Sequence, residues 1–530
     1  MTTGRRVLDL LLLGVALGAA ALSWLVILGS LTATTPVTDL FWHLAVGRHF
    51  VEEVGGLTHV DPFSHTTAGR YWTLHEWVFQ VGIYLSERLG GVLGVRFASC
   101  SLGVAVGALW LSLLRREGKA SWLATFAVLA LLGVACWARL TQVRPHLLTM
   151  ILFLVFTRWL YFVEEAPSKG RIALFCCLQV VWTNLHSVAL LGPLFYLGAV
   201  LGERVGAFAL RRLGGTPSEP KLPLFAIPLL FAATLVSPEH VGLYGFIFDT
   251  FSDNSAQVIH DEWSHFSLLE TSLQLHLKPT TLLSGWVVLG AGLALLARLV
   301  RNPRQTLSAM DPRLLAFGLV GTLCGFLAVR WVWFWFLPLL ALVRLPWGER
   351  AAAAGRVGGP LLVGVLALLF FFEQAPRLSD FSLTRFESRA LPTAATDAFL
   401  EAGLEGNLYN HYTYGGYLIY RLYPQAKVFI DGRTNLHGRK TMRYYTAVRL
   451  GQGLVRAELL RRAKVDVIFV TGPLHNDFQR GCPGWVCVYR DHNAKLYLPL
   501  GERGAENRRR MTRYYQERGL PFDPQVGFPP

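Results

Sequence analysis

Eleven apolar runs separated by short polar stretches fill most of the first 373 residues, and they constrain the fold before any single residue is weighed. They fall at Val7 to Leu31, Val92 to Leu114, Ser121 to Trp137, Pro145 to Phe162, Ile172 to Leu185, Val188 to Leu201, Leu222 to Val236, Thr280 to Ala297, Leu314 to Val329, Trp331 to Val343 and Gly358 to Phe372. A bilayer core of about 30 Å takes roughly 20 helical residues, and lipid offers no partner for an unpaired backbone group. The pattern predicts a polytopic α-helical membrane protein of about eleven transmembrane helices, several of them short for the core. The first run is too long for a signal-peptide core and lacks a small-residue cleavage site, so it is expected to stay as the first span. With 52% hydrophobic and 16% charged residues, the chain is poorer in charge than the roughly 25% of a soluble domain.

The net charge of +15 would suggest nucleic acid in a soluble chain. Here the cations sit in clusters between apolar runs: Arg5 and Arg6; Arg115, Arg116 and Lys119; Lys169 and Arg171; Arg204, Arg211, Arg212 and Lys221; Arg298, Arg301, Arg304 and Arg313; Arg344, Arg350 and Arg356. These clusters occupy alternate connections, so the positive-inside rule predicts a cytoplasmic N-terminus and an outer location for everything beyond Phe372. No basic stripe suited to nucleic acid is present. With that orientation all fifteen histidines fall in or beside outer connections or in the C-terminal region. The two longest loops, 32–91 and 237–279, are also outer, which puts the chemistry on that face.

From "LPTAATDAFL" onward the pattern becomes that of a soluble domain, with candidate strands "GNLYN", "KVFID", "VDVIFVTG" and "CVYR" and candidate helices Tyr414 to Leu422 and Arg439 to Ala463. The expected division is a membrane domain over 1–373 and a C-terminal extracytoplasmic, periplasmic α/β domain over 374–530. No GxGxxG stands between a strand and a helix, which argues against a dinucleotide site. Five of the seven cysteines lie in apolar runs as packing residues, and a disulfide across "CPGWVC" is available to Cys482 and Cys487 in an oxidising compartment.

The stretch "TDLFWHLAVGRHF" follows the first run directly. If it is helical, Asp39 and His43 share a face one turn apart, and Asp39 is placed to take a proton from an acceptor hydroxyl. The plainer alternative makes Asp39 a helix cap and Trp42 an interfacial aromatic. Next, "HVDPFSHTTAGRYWTLHEW" supplies Asp61, His65, Arg70, His75 and Glu76, with Pro62 and Gly69 allowing turns and letting these side chains converge. Such a set also suits a divalent metal ion, although no HExxH-like spacing is present. Arg139, Arg144 and Arg330 stand at outer span ends against the positive-inside trend and suit a lipid-linked phosphate beside His146, or else snorkel to headgroups. "WTNLHSV", with Asn184 and His186, and "HDEWSHF", with Asp261, Glu262 and His265, are polar breaks that line a cleft or form hydrogen-bonded junctions. In "VFIDGRTNLHG", Asp431, Arg433 and His437 follow a strand end and are candidates for acceptor recognition or for a domain contact.

"DLFWHLAVGRHF", "DPFSHTTAGRYWTLHEW", "VWTNLHSVALLG" and "NHYTYGGYLIYRLYPQAKVFIDGRTNLHG" resemble segments of uncharacterised bacterial multi-span proteins placed near the GT-C glycosyltransferases. That superfamily includes the protein O-mannosyltransferases, the oligosaccharyltransferase catalytic subunit and the lipid A aminoarabinose transferases. The resemblance implies transfer, with inversion, of a sugar from a polyprenyl-phosphate-linked donor to a glycan, lipid or protein acceptor at the periplasmic face of a bacterial inner membrane. It implies an acidic role for Asp39, with Asp61 or Glu76 as a second acid, and a phosphate role for Arg139, Arg144 or Arg330. The chain lacks a "WWDYG"-type signature, which argues against N-glycosylation. A transporter or flippase for a lipid-linked or anionic solute, or an assembly scaffold, is the competing class, although the inverted repeat a transporter would favour is not visible.

Overall fold

The computed structural model describes residues 3–33, 39–161, 165–252, 266, 279–345, 347, 349–378, 382, 385, 387–472 and 482–528. In place of a single cut near residue 374, the chain divides into two compact units, Met1–Ala33 with Arg96–Leu383, and Thr34–Val95 with Thr384–Pro530. The first long loop thus belongs to the same unit as the C-terminal α/β region.

The first unit is helical. Among the described residues six helices are long and apolar enough to cross a membrane: Gly4–Thr32, Trp77–Glu117, Trp122–Leu140, Ser187–Arg212, Pro279–Arg301 and Ala351–Pro376. A seventh span is available if Pro303–Ala309 and Pro312–Leu327, bent by 107°, count as one. Six of the eleven expected spans, or seven with the bent pair, thus correspond to helices of spanning length among the described residues. Ala226–Ala233, by contrast, has 8 residues, about 12 Å of rise against a core of about 30 Å. Helix Trp77–Ser112 is kinked at Gly91, whose φ of 56° only glycine adopts without strain.

Polar side chains inside this unit find partners, as a dry interior requires. The indole of Trp137 donates to Thr281 Oγ1 at 3.0 Å, and that of Trp182 to Thr149 Oγ1 at 3.0 Å. Thr280 donates through its hydroxyl to Glu373 at 2.6 Å. The bands between helices are aromatic: Phe153 meets Phe195 at 4.6 Å and Trp333 edge-on at 4.9 Å between ring centroids.

The second unit is built on a five-stranded mixed sheet with strand order β2-β1-β3-β5-β4. The strands are β1 (Gly406–Asn410), β2 (Ala426–Lys427), β3 (Val467–Thr471), β4 (Trp485–Arg490) and β5 (Ala494–Pro499). β1 pairs in parallel with β2 and β3, while β5 runs antiparallel to both β3 and β4. The two parallel pairings need crossovers, supplied by Gly415–Leu422 and by Thr434–Leu450 with Gly453–Arg462. The expected single helix over Arg439 to Ala463 is two, separated at Gly451.

The first long loop extends this sheet beyond β2. Ser64 bridges Val428 in parallel, with His65 N donating to Val428 O at 3.1 Å and Val428 N to Phe63 O at 2.9 Å. An otherwise open strand edge is thereby covered.

Candidate active site

Asp39 opens helix Asp39–Arg48, whose residues 40 to 47 are all buried. Phe41 meets Tyr417 edge-on at 5.1 Å, so the helix is anchored onto Gly415–Leu422 of the same unit. Asp39 itself is half-buried, the one acid of the three expected candidates that is not fully enclosed. Its carboxylate abuts Gly432: a Cβ there would lie 2.6 Å from Asp39 Oδ1 and 3.3 Å from Trp42 Nε1. A larger residue at 432 would push that carboxylate aside. The Trp42 indole nitrogen is buried with no hydrogen-bond partner among the described residues. His43 is buried too, its ring centroid 3.7 Å from that of Trp42 and edge-on to Phe79 at 5.0 Å.

Asp61 has a different setting. Its side chain is 0% exposed. It accepts from the backbone nitrogens of Phe63 at 3.1 Å and Ser64 at 3.2 Å, and from the Thr67 hydroxyl at 2.7 Å. That is the Asx-type turn which "DPFS" favours. Arg433 Nη1 then donates to its Oδ1 at 2.9 Å. The same guanidinium reaches both oxygens of Asp431, each at 2.8 Å, and lies over the Trp72 ring at 4.9 Å. His437 Nε2 is 3.0 Å from Asp431 Oδ2, and the Ser64 hydroxyl donates to that oxygen at 3.2 Å. Burial opposes charge on Asp431, but Arg433 and then His437 hold its carboxyl well below the usual range. Burial likewise opposes charge on Arg433, and Asp431 followed by Asp61 raises it above its ordinary value.

The expected trio Asp431, Arg433 and His437 is thus brought together with Asp61 in one enclosed network that fastens the first loop to the sheet. Every lone pair facing the guanidinium is in use, so the geometry is that of an internal clasp. Sequence reasoning missed Ser64 and Thr67, while Arg70, one of the expected convergent side chains of the first loop, is brought to the network. Arg70 donates to the carbonyl of His437 at 2.6 Å. The signal was the recurrence of small hydroxyls around "DPFSHTT", which turn chemistry favours but which does not name a distant partner.

Glu76 is buried and pairs with His75 Nε2 at 3.0 Å, while its carbonyl accepts from Gln80 at the start of helix Trp77–Ser112. His65 places Nε2 2.9 Å from the carbonyl of Leu408 in β1 and meets Phe429 edge-on at 5.6 Å. Burial pushes its imidazole pKa down, partly offset by that bond.

In the first unit, Arg139 is buried near the end of Trp122–Leu140, and its carbonyl lies 2.6 Å from His146 Nε2. Arg144 is half-buried in the connection that follows. His186 Nδ1 is 2.8 Å from Thr149 Oγ1, which joins the break after Lys169–Leu185 to helix His146–Tyr161. Asn184 donates to the carbonyls of Val180 at 2.9 Å and Val236 at 2.8 Å, so this break is a hydrogen-bonded junction. Arg330 lies in the 3-10 segment Val329–Trp335, its guanidinium 5.7 Å from the Trp331 ring. The carbonyl of Val332, in that segment, accepts from Cys136 on Trp122–Leu140 at 3.8 Å. The three arginines and His146 and His186 therefore gather at one end of this unit.

Asp261, Glu262 and His265 lie outside the described residues. Among the described residues no group of three or more His, Cys, Asp or Glu side chains is arranged to hold a metal ion. Cys482 and Cys487 are free and buried, not joined in a disulfide. Cys487, in β4, donates to the carbonyl of Tyr489, and burial pushes both thiols up to about 11.

The class defined by these features is a multi-pass helical membrane protein whose first long loop is built into the α/β unit. No family model matches the chain, and no curated protein matches it either. Among solved structures it is similar to the Archaeoglobus fulgidus oligosaccharyltransferase tethered by a disulfide bond to an acceptor peptide containing the NVT sequon. That likeness has a TM-score of 0.53 at 10% identity and covers 86% of this chain and 69% of that one. At that identity the likeness is one of fold.

Proposed function

We propose that the protein is a membrane glycosyltransferase of the GT-C type, transferring a sugar from a polyprenyl-phosphate-linked donor to a glycan, lipid or protein acceptor at the outer face of a bacterial inner membrane. The observation that carries this reading is the likeness of fold to an oligosaccharyltransferase over 86% of the chain. The chemistry is assigned to Asp39, the half-buried carboxylate opening the helix after the first span. As the acceptor hydroxyl oxygen bonds to the anomeric carbon, its proton passes to Asp39. The bond between that carbon and the phosphate oxygen breaks with its electron pair, and polyprenyl phosphate departs. Arg139, Arg144 and Arg330 are assigned to the phosphate, whose growing charge guanidinium groups stabilise. Asp61 and Glu76, expected as second acids, are given structural roles by their enclosure.

The reading is tested by reconstituting the full chain in liposomes with a panel of labelled polyprenyl-phosphate sugars and following release of polyprenyl phosphate. Release that depends on an added acceptor fraction supports it. If no donor is turned over but a labelled lipid crosses the bilayer faster than in empty liposomes, the transporter reading replaces it.

A further inference from the structure

The end of the first unit opposite the three arginines holds a separate cavity of about 760 Å³. Chain direction separates the two. Trp122–Leu140 begins near Lys119 and ends near Arg139, while His146–Tyr161 begins at His146 and ends at Tyr161. At about 1.5 Å per residue, the 19 residues of the first of these span about 28 Å. Lys119 and Tyr161 both line the cavity, as do Arg116, Lys221, Arg313 and Arg344. These cations come from connections that the positive-inside pattern assigns to the cytoplasm, and the fold brings them to one place.

Three carboxylates also line it, and each is occupied. Asp311 accepts from Arg313 Nε at 2.9 Å and lies 2.5 Å from its Nη2. Glu203 accepts from the backbone nitrogens of Lys221 at 2.8 Å and Leu222 at 3.1 Å. Glu117 pairs with Arg158 at 3.2 Å. Arg116 and Lys119 are exposed at the rim, with no ion pair to either among the described residues. Lys119 is held at φ 51°, a left-handed conformation unusual for a non-glycine residue. Deeper in, Tyr161 is 3% exposed, and its hydroxyl has no hydrogen-bond partner among the described residues. A buried hydroxyl beside an open basic cavity is a donor waiting for an acceptor.

We propose that this cavity binds a phosphate-bearing anion, captured at the rim by Arg116 and Lys119 and met inside by the Tyr161 hydroxyl. Its volume exceeds what an inorganic ion needs and falls in the usual range, about 300–1,000 Å³, for an organic ligand. A phosphate ester is the fitting class, since ammonium, guanidinium and hydroxyl donors line the cavity and, among the described lining residues, every carboxylate is already paired. The inference does not depend on the transferase reading.

The purified full chain in zwitterionic detergent is titrated with sodium pyrophosphate, with short-chain phosphatidylglycerol and with short-chain phosphatidylcholine, and thermal unfolding is followed. A saturable upward shift is expected with pyrophosphate, phosphatidylglycerol or both. The apparent affinity should weaken at least tenfold in the double variant Arg116→Gln, Lys119→Gln, and about threefold or more in Tyr161→Phe, with unfolding in the absence of probe unchanged. A response to phosphatidylglycerol alone assigns a lipid headgroup, and one to pyrophosphate alone a soluble phosphate compound. No saturable shift with either anion, a shift retained in the double variant, or an equal response to phosphatidylcholine overturns the proposal.

Discussion

Replacing Arg433 by Met keeps most of the side-chain volume but removes the cation that three oxygens of Asp61 and Asp431 share, at 2.8 to 2.9 Å. Both carboxylates are 0% exposed, so neither recovers a water shell while the loop stays docked. Breaking a buried pair by deleting one partner costs about 3–5 kcal/mol. The loop turn 61–67 should consequently open more often, and at 1.4 kcal/mol per tenfold its amides should exchange roughly a hundred to a few thousand times faster in hydrogen-exchange mass spectrometry. The amides of Phe63, Ser64 and His65 report this, being bonded to Asp61 or to Val428. The sign of the pH effect follows from the depressed pKa of Asp431. Its stabilisation is complete above the unfolded value near 3.9 and is lost as pH falls through the lower folded value. In Arg433→Met the stranded Asp431 carboxylate protonates more readily, so the gap in thermal midpoint between the two proteins should be widest near neutrality and narrow below about pH 4. Lys440→Met, at an exposed position, is the control. An exchange increase under about tenfold, or an equal increase in the control, would refute the idea that this network fastens the loop.

Gly432→Ala should force the Asp39 carboxylate aside, because the new Cβ would lie 2.6 Å from Oδ1; transfer should fall at least tenfold with the thermal midpoint nearly unchanged, and undiminished transfer would separate Asp39 from the reaction. Asn184→Ala removes two bonds to the carbonyls of Val180 and Val236 and should lower stability by about 1–3 kcal/mol, seen as earlier thermal unfolding without a change in secondary structure. Alkylation after denaturation without reductant should label seven cysteines, whereas in the native protein Cys482 and Cys487 should react slowly at pH 8 because burial holds their thiols near 11; five labelled cysteines after denaturation would show a disulfide.

The helical membrane class was legible because lipid enforces it locally: each apolar run maps to a helix, and four of the six basic clusters contribute residues to one cavity. Span number was not legible, since hydropathy does not distinguish a crossing helix from a shorter apolar one, as the 8 residues of Ala226–Ala233 illustrate. The strands "GNLYN" and "VDVIFVTG" were readable from alternation and β-branching, but β5 was overlooked in "AKLYLP", where Lys495 masks a buried strand. For the site, residue types pointed to Asp39, Asp61 and Asp431 alike. Only the partners distinguish them: Arg433 lies 372 positions from Asp61 in sequence, and no local pattern announces such a pairing. The disulfide read into "CPGWVC" failed for the same reason, because spacing does not report which way two thiols face.

The most direct test of the account compares transfer by wild type, Asp39→Asn and Asp61→Asn in liposomes under one donor and acceptor pair that the wild type uses, with thermal unfolding measured alongside. If Asp39 takes the acceptor proton, Asp39→Asn should lose about 10²- to 10⁴-fold in turnover at an unchanged thermal midpoint, while Asp61→Asn should lose stability first and retain turnover in the fraction that stays folded. Wild-type turnover in a fully folded Asp39→Asn protein would contradict the central claim.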